Sequence, residues 1–415
     1  MVLRGNDAGD WTRPSPHQYP HQWNWDSAFI SLGWATFDWP RACQELESML
    51  AAQWWDGMVP HVHYDPRHLA QYFPGPDRWP RAQRHVRNAG QLTSGISNPP
   101  VLVTAAWLIG LRQSDQRLRH AFWRRVRPSL AKYVEYWGSA RRGPGQPLPV
   151  MVHPWESGWD NSPRWDALRL SGLKPRQPYS RLDNRFVRAS ERPTDSDYDA
   201  YLALVEKLED ADFELERYRL DSPFCVHDVL LDATWYGAAN DLNSICESLA
   251  EPPAVSGERL AEFAAAFEAR HWDEAAQLYF DWDCRRQERI RTATAAGVAA
   301  LAGGVAKPRR GRAAWRRYAQ LCRDALAVCT VPPADPNFEP ERYWRGPVWL
   351  NVNWLAVRGL EHIGLRAEAH ALVSQSLGLV QEHGLAECFD PFDGSPLGAG
   401  GFSWSAALAL DWLEG

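Results

Sequence analysis

"AFWRRVRPSLAKYVEYW", residues 121–137, has the spacing of a helix. Phe122, Val126, Leu130, Tyr133, Val134 and Trp137 recur every three or four residues and trace one apolar face. In 366–382, Ala369, Leu372, Val373, Leu377 and Val380 repeat the pattern. Amphipathic stretches also cover 27–38, 41–53, 99–112, 197–212, 223–249, 258–270, 313–329, 347–363 and 402–413. A twelfth helix is expected after Pro163 or across 290–303. Strand alternation is scarce. Eleven or twelve helices joined by alternately short and long loops predict an all-α toroid of stacked helical hairpins. The long loops, 54–98, 141–166, 171–196, 330–347 and 384–402, are rich in Trp, Tyr, His, Asp, Gly and Pro. Functional loops are therefore expected on one face and plain turns on the other. No solenoid repeat or low-complexity linker divides the chain, so 1–415 reads as one domain. Segment 171–196 is too short for a core of its own.

The totals exclude several functions. With 45 basic and 51 acidic residues, the net charge of −6 argues against a surface that neutralises nucleic-acid phosphates. The basic run Lys307, Arg309, Arg310, Arg312 reads as a solvated loop. No stretch approaches a transmembrane span and no signal peptide opens the chain, so a cytoplasmic protein without a membrane partner is expected. The seven cysteines are scattered and lack CxxC spacing. They read as reduced thiols with packing roles, and neither a structural zinc nor a cofactor is expected. The 23 tryptophans are unusual. Most read as core, but a flat apolar face with one N–H also suits a sugar ring.

"ESGWDNSPRW", residues 156–165, sets carboxylates among tryptophans. Ser162-Pro163 resembles a helix start, and Asp166 would fall in its first turn. Glu156 reads as support for the loop. Asp160 precedes the cap, and Trp155, Trp159 and Trp165 can desolvate it. Desolvation raises a carboxyl pKa, as a general acid at neutral pH requires. An Asx turn through Asp160 or Asn161 is the structural alternative. In 384–404, Asp390-Pro391 and Asp393-Gly394 read as turns. Glu387, flanked by Ala386, Cys388 and Phe389, has no turn role, and a semi-buried acid needs a reason. The glycines at 398, 400 and 401 leave room for a close backbone approach. Two carboxyls across a tryptophan-lined pocket are the minimum for glycoside hydrolysis.

Two more stretches suit a sugar pocket. In "YPHQWNWDSAF" (19–29), an extended chain would aim Trp23 and Trp25 the same way. Asp26 or Ser27 could cap the next helix, or Asp26 could bind two sugar hydroxyls. In "ERYWRGPVW" (341–349), Gly346-Pro347 turns into a helix and presents Tyr343, Trp344 and Trp349. His61, His63 and His68 lack standard zinc spacing and read as an active-site rim.

Together "ESGWDNSPRW", "HQWNWDSAF", "YWRGPVW" and "AECFDPFDG…GGFSWSAA" resemble glycoside hydrolase family 63, in the branch of bacterial mannosylglycerate and glucosylglycerate hydrolases. The resemblance spans nearly the whole chain in order. It implies an (α/α)6 barrel and an inverting mechanism, with Asp160 as general acid and Glu387 as general base. The matching sugar-binding positions are Tyr19, Trp23, Trp25, Asp26, Trp155, Gly158, Trp344, Gly346 and Trp349. Tyr72, in the first long loop, is counted with them. The branch grips glycerate with an arginine and a tyrosine of a mobile loop and a tyrosine before the YW tryptophan, matching Arg192, Tyr198 and Tyr343. A guanidinium suits a carboxylate, and 171–196 would be the lid. The other arginines of that segment, 176, 181, 185 and 188, read as solvated. Asn98 and Gly401 stand where the branch has glutamines that hold the aglycone.

The expected function is an inverting α-glycosidase acting on mannosylglycerate, glucosylglycerate or another small α-glycoside. The alternatives are an α-glucosidase for small oligosaccharides, a non-catalytic sugar-binding protein on the same fold, and an isomerase or epimerase of the α-toroid kind. Glucose against mannose and the oligomeric state stay open.

Overall fold

The computed structural model describes residues 1–414, and each of the eleven amphipathic stretches holds a helix. In chain order these are α1 (Asn24–Trp34), α2 (Trp39–Ala51), α3 (Val101–Arg112), α4 (Gln116–Glu135), α5 (Asp195–Asp210) and α6 (Val229–Ser248). There follow α7 (Gly257–His271), α8 (Pro308–Leu321), α9 (Leu350–His362), α10 (Arg366–His383) and α11 (Ser403–Glu414). Side-chain caps set several starts. The Asp38 carboxylate accepts from the Arg41 amide, Asp228 from Leu231, and Ser256 from Arg259. Thr194 and Asp197 close a reciprocal capping box on α5. The apolar face read in 121–137 is turned inward: Phe122, Val126, Leu130, Tyr133, Val134 and Trp137 are all buried. Pro128 lies inside α4, which passes into a π-turn over Tyr136–Ala140.

Packing follows two-layer logic. α1 packs on α3, α3 on α6, α6 on the helical run 296–303, that run on α9, α9 on α11, and α11 back on α1. Every residue of α1 is buried, as an inner helix flanked on all sides requires. α2 lies against α1 and α3, α4 and α7 against α6, and α10 against α9. These outer helices keep one polar face, which made their period legible.

Two open alternatives are decided and one expectation is corrected. The run 296–303 is the twelfth helix, whereas Pro163 opens only a 3-10 turn, Pro163–Trp165, followed by the short Asp166–Arg169. The basic stretch is no solvated loop, because Pro308 begins α8 there. Arg310 pairs with Glu268, and Arg312 donates to the Ile363 carbonyl at 2.9 Å. Helix α1 begins at Asn24, with no side-chain cap from Asp26 or Ser27. Ser27 instead donates to Glu45.

Strands are two to five residues long and fasten loops. Gln22–Trp23, Val62–Tyr64 and Leu92–Thr93 form a three-stranded sheet that ties the first long loop to the entry of α1. Ala386–Phe389 pairs antiparallel with Pro396–Gly400. All seven cysteines are free thiols, six of them buried. Cys322 and Cys329 bring their Sγ atoms to 3.5 Å. Among the described residues no helix is long and apolar enough to cross a membrane.

Candidate active site

The five long loops and the segment entering α1 meet at one cavity of about 680 Å³, its open mouth included. Tyr19, Trp23, Trp25 and Asp26 come from the α1 entry. The loop 54–98 supplies His61, Tyr72 and Asn98, and 141–166 supplies Trp155, Gly158 and Asp160. Asp183 and Arg192 arrive from 171–196, Tyr198 from α5, Tyr343 and Trp344 from 330–347, and Glu387 from 384–402. Phe402 and Trp404 complete the wall.

Glu387 lies in the strand Ala386–Phe389 and is 1% exposed. Its Oε1 accepts from the Tyr19 hydroxyl at 2.6 Å and its Oε2 from the Ala399 amide at 2.8 Å. The Arg192 guanidinium stands 3.6 Å from Oε1. Burial pushes the carboxyl above its ordinary range, while Arg192, Tyr19 and the Ala399 amide oppose the shift. The result is a carboxylate held in one orientation with raised proton affinity, which suits a general base.

Asp160 is set differently. The 3-10 turn Pro154–Ser157 ends at Gly158, whose φ of +73° reverses the chain. A Cβ there would lie 2.4 Å from the Trp25 ring, so glycine is required twice over. Among the described residues the Asp160 carboxyl accepts no hydrogen bond from another side chain, and it opens on the cavity. Burial pushes it up to about 7, against the Arg192 charge and the residue's own backbone amide, and Glu387 adds to the rise. A carboxyl so placed is substantially protonated at neutral pH and can donate.

The rest of the quoted loop is tied to its surroundings, although Trp159 Nε1, Asn161 Nδ2 and Arg164 Nη2 are buried without a hydrogen-bond partner. Glu156, at 0% exposure, takes a two-pronged pair from Arg141 at 2.7 and 2.8 Å and accepts the Val152 amide at 2.8 Å. Asn161 Oδ1 accepts from the Trp344 amide, and Asp166 pairs with Arg345 at 2.7 and 3.0 Å. Asp166 therefore does more than favour a helix start, for it ties the loop to 330–347. Arg164 pairs with Asp228 and Asp281, anchoring the loop on α6.

Asp26 is 4% exposed, in the first turn of α1, with its carboxyl on the cavity. Burial and then Glu387 push it well up. Trp23 and Trp25 both line the cavity, but not through an extended chain, because the helix starts between them. Trp349 and Gly346 are not brought to the cavity wall. Trp349, 0% exposed, stacks behind Trp344 with ring centroids 3.7 Å apart, and a Cβ on Gly346 would meet the Glu339 carbonyl at 2.3 Å. Of the three tryptophans expected around Asp160, only Trp155 lines the cavity. Trp159 stacks on Trp344, and Trp165 packs on Phe224 in a separate cluster.

His61 reaches the wall, bonded to Ser94, and burial holds it neutral with a pKa down to about 3. His63 bonds Gln91 and Gln22, and His68 faces Asp65 at 3.9 Å. Among the described residues no three His, Cys, Asp or Glu side chains converge on a metal position. Arg181 is not solvated: it pairs with Asp183 at 2.8 Å and lies over the Tyr198 ring. Asp183, Phe402 and Trp404 escaped the sequence reading. An acid in a polar loop gives no periodic signal, although Arg181-x-Asp183 is a spacing that allows a fork. Phe402 and Trp404 read equally well as the buried start of α11.

A helical two-layer fold whose long loops bring two unlike carboxyls to one aromatic cavity belongs to a glycoside hydrolase. Residues 19–405 match the mannosylglycerate hydrolase MGH1-like glycoside hydrolase domain, and the chain belongs to that family, within glycoside hydrolase family 63. It is 40% identical to a mannosylglycerate hydrolase of Thermus thermophilus, covering 100% of this chain and 99% of that one. It is 34% identical to a glucosylglycerate hydrolase of Mycolicibacterium hassiacum, covering 99% and 96%. The crystal structure of a family 63 mannosylglycerate hydrolase from Thermus thermophilus, in complex with Tris and D-glycerate, superposes with a TM-score of 0.92. The two share 38% identity, with coverage of 99% of this chain and 98% of that one.

Proposed function

We propose that this chain is an inverting α-glycosidase on an (α/α)6 barrel, cleaving mannosylglycerate or glucosylglycerate. The observation that carries the mechanism is the contrast between Asp160 and Glu387 across one cavity. Asp160, pushed up to about 7, donates its proton to the glycosidic oxygen as the bond to the anomeric carbon breaks. Glu387 takes a proton from a water that attacks that carbon from the opposite ring face. Asp160 is left ionised and Glu387 protonated, and exchange with solvent restores both. Inversion requires the two carboxyls about 6.5–9.5 Å apart, with room for the water between them.

The sugar lies against Trp23, Trp25, Trp155 and Trp344, with Asp26 accepting two of its hydroxyls and Tyr19 and Gly158 shaping its edge. Trp349 and Gly346 act from behind, holding Trp344 in place. Arg192, Tyr72, Tyr198 and Tyr343 receive the glycerate end. Support comes from the relatives' names and from the chemistry of Arg192. Its Nε bonds Asp183 and its Nη1 bonds Tyr19, while Nη2 makes no hydrogen bond among the described residues. Arg192 lines the cavity and is 3% exposed, a buried cation with which a carboxylate in the cavity can pair. We also propose that 1–415 acts as one cytoplasmic catalytic domain, with 171–196 as its lid.

A panel of mannosylglycerate, glucosylglycerate and neutral α-linked disaccharides tests the reading. The expected result is a kcat/KM for one glycerate conjugate at least about 10-fold above any neutral glycoside, the scale of a lost charged contact. Equal or faster cleavage of the neutral sugars would instead assign an oligosaccharide α-glucosidase. No cleavage at all would support a binding protein.

A further inference from the structure

Two consecutive residues of segment 171–196 close on Glu387 from opposite sides. Arg192 Nη1 donates to the Tyr19 hydroxyl at 2.7 Å, and that hydroxyl donates to Glu387 Oε1. Glu191, 6% exposed, takes the other side, where its Oε2 accepts the Gly398 amide at 2.7 Å. The next amide along, Ala399, is the one bound to Glu387 Oε2 at 2.8 Å. Gly398 and Ala399 lie between the paired positions Leu397 and Gly400, where the strand ladder is irregular. Their amides turn to two carboxylates instead of to a partner strand. Gly398 has a φ of +70°, and a Cβ there would lie 2.4 Å from Glu387 Oε2. The peptide is thus confined by Glu387 on one side and by Glu191 at its N–H.

A buried carboxylate beside a catalytic one is electrostatically unfavourable. Arg188, which pairs with the other Glu191 oxygen, is largely exposed and compensates little. Packing alone would place a neutral acceptor at 191. We propose that Glu191 is a positioning residue for the general base: it clamps the 398–399 peptide so that the Ala399 amide and the Tyr19 hydroxyl hold Glu387 together when 189–192 is seated. The inference rests on the assignment of Glu387 as base. The other charged or titratable groups around that carboxyl are Arg192, Asp26, Asp160, Tyr19, Tyr343 and the buried Cys388 thiol.

The test compares Glu191→Ala and Glu191→Gln, using the glycoside of the panel that is turned over fastest. Measurements are kcat and KM across pH, and hydrogen exchange of 396–401 without substrate. Glu191→Ala is expected to lower kcat on the order of tenfold, a share of the roughly 10²–10⁴ that a placed base contributes. KM should stay nearly constant and amide protection at 398–399 should fall. Glu191→Gln keeps an acceptor for Gly398, so it should recover most of kcat and keep the protection. Its acid limb should move to lower pH, because the charge that raises Glu387 is gone. Wild-type kcat and an unshifted acid limb in Glu191→Ala would overturn the proposal. So would a Glu191→Gln as slow as Glu191→Ala with the limb unmoved. If Glu387→Gln itself stays active, the base assignment fails; if that variant is dead and Glu191→Ala is normal, only the positioning role fails.

Discussion

The loop around Asp160 and the hairpin around Glu387 bring the same functional group to the same cavity, but they surround it differently. Glu387 accepts a hydroxyl and an amide and stands 3.6 Å from a guanidinium. Asp160 has no such frame, and the hydrogen bonds of its loop go to its neighbours Glu156, Asn161 and Asp166. Burial raises both carboxyls, yet one is offset by partners and the other is left to respond to its surroundings. A base must be oriented and ionised, whereas an acid must keep its proton until the leaving oxygen arrives. In the proposed mechanism, environment, not residue type, separates the two roles.

The largest expected effect breaks the pair directly. Asp160→Asn and Glu387→Gln should each lower turnover by about 10²–10⁴ while leaving the unfolding transition in place. An α-glycoside with an acidic aryl leaving group sharpens the contrast. It should restore much of the rate to Asp160→Asn, whose missing proton is no longer needed, and little to Glu387→Gln. Rescue of both variants alike would dissolve the distinction.

Next in size is the support under the Asp160 loop. Glu156→Ala leaves the Arg141 guanidinium buried and unpaired, which costs about 3–5 kcal/mol, read as a lowered denaturation midpoint. A midpoint unchanged from wild type would mean that the loop does not depend on this pair.

Smaller is Tyr19→Phe, which removes the hydroxyl on Glu387 Oε1. That bond lowers the Glu387 pKa, so its loss should move the acid limb of kcat/KM to higher pH. In the wild type the alkaline limb should fall near pH 7, where Asp160 gives up its proton. A Tyr19→Phe profile superimposable on the wild type would remove Tyr19 from the frame.

The remaining effect is on stability and is spread over a pH range. The folded state raises the Asp160 pKa from 3.8 to about 7. Its protonated form is favoured on folding, so that contribution is full below about pH 4 and is lost as pH rises through about 7. Asp160→Asn cannot ionise, so relative to wild type it should become more stable as pH goes from 5 to 8. Identical pH dependence of the two midpoints would contradict the desolvated setting of this carboxyl.

Much of the helical architecture was legible because the outer helices are two-faced, as 121–137 illustrates. In 366–382 the helix was read correctly, but the buried positions are Ala369, Leu372, Ser376 and Leu379, and Val373, Leu377 and Val380 are only partly buried. The run 296–303 and the start of α8 were harder. The first is apolar on every side and too short for a clear period, and the second carries arginines that mimic a loop. In the cavity, Glu387 stood out because it had no turn or cap to serve, and Asp160 because it precedes the cap among tryptophans that can desolvate it. Trp349 and Trp165 illustrate the limit, since a tryptophan serves a core or a pocket equally well and its neighbours in space decide. Asp183 and Glu191 were illegible for the complementary reason: each is one acid among several in a polar segment until the fold seats it beside Arg192 or Gly398.

The most direct test of the account is the anomer first released from an α-glycoside, followed by proton NMR before mutarotation. An acid at Asp160 and a water-activating base at Glu387 predict that the β-sugar appears first. Initial release of the α-sugar would contradict inversion and make Glu387 a nucleophile, not a base.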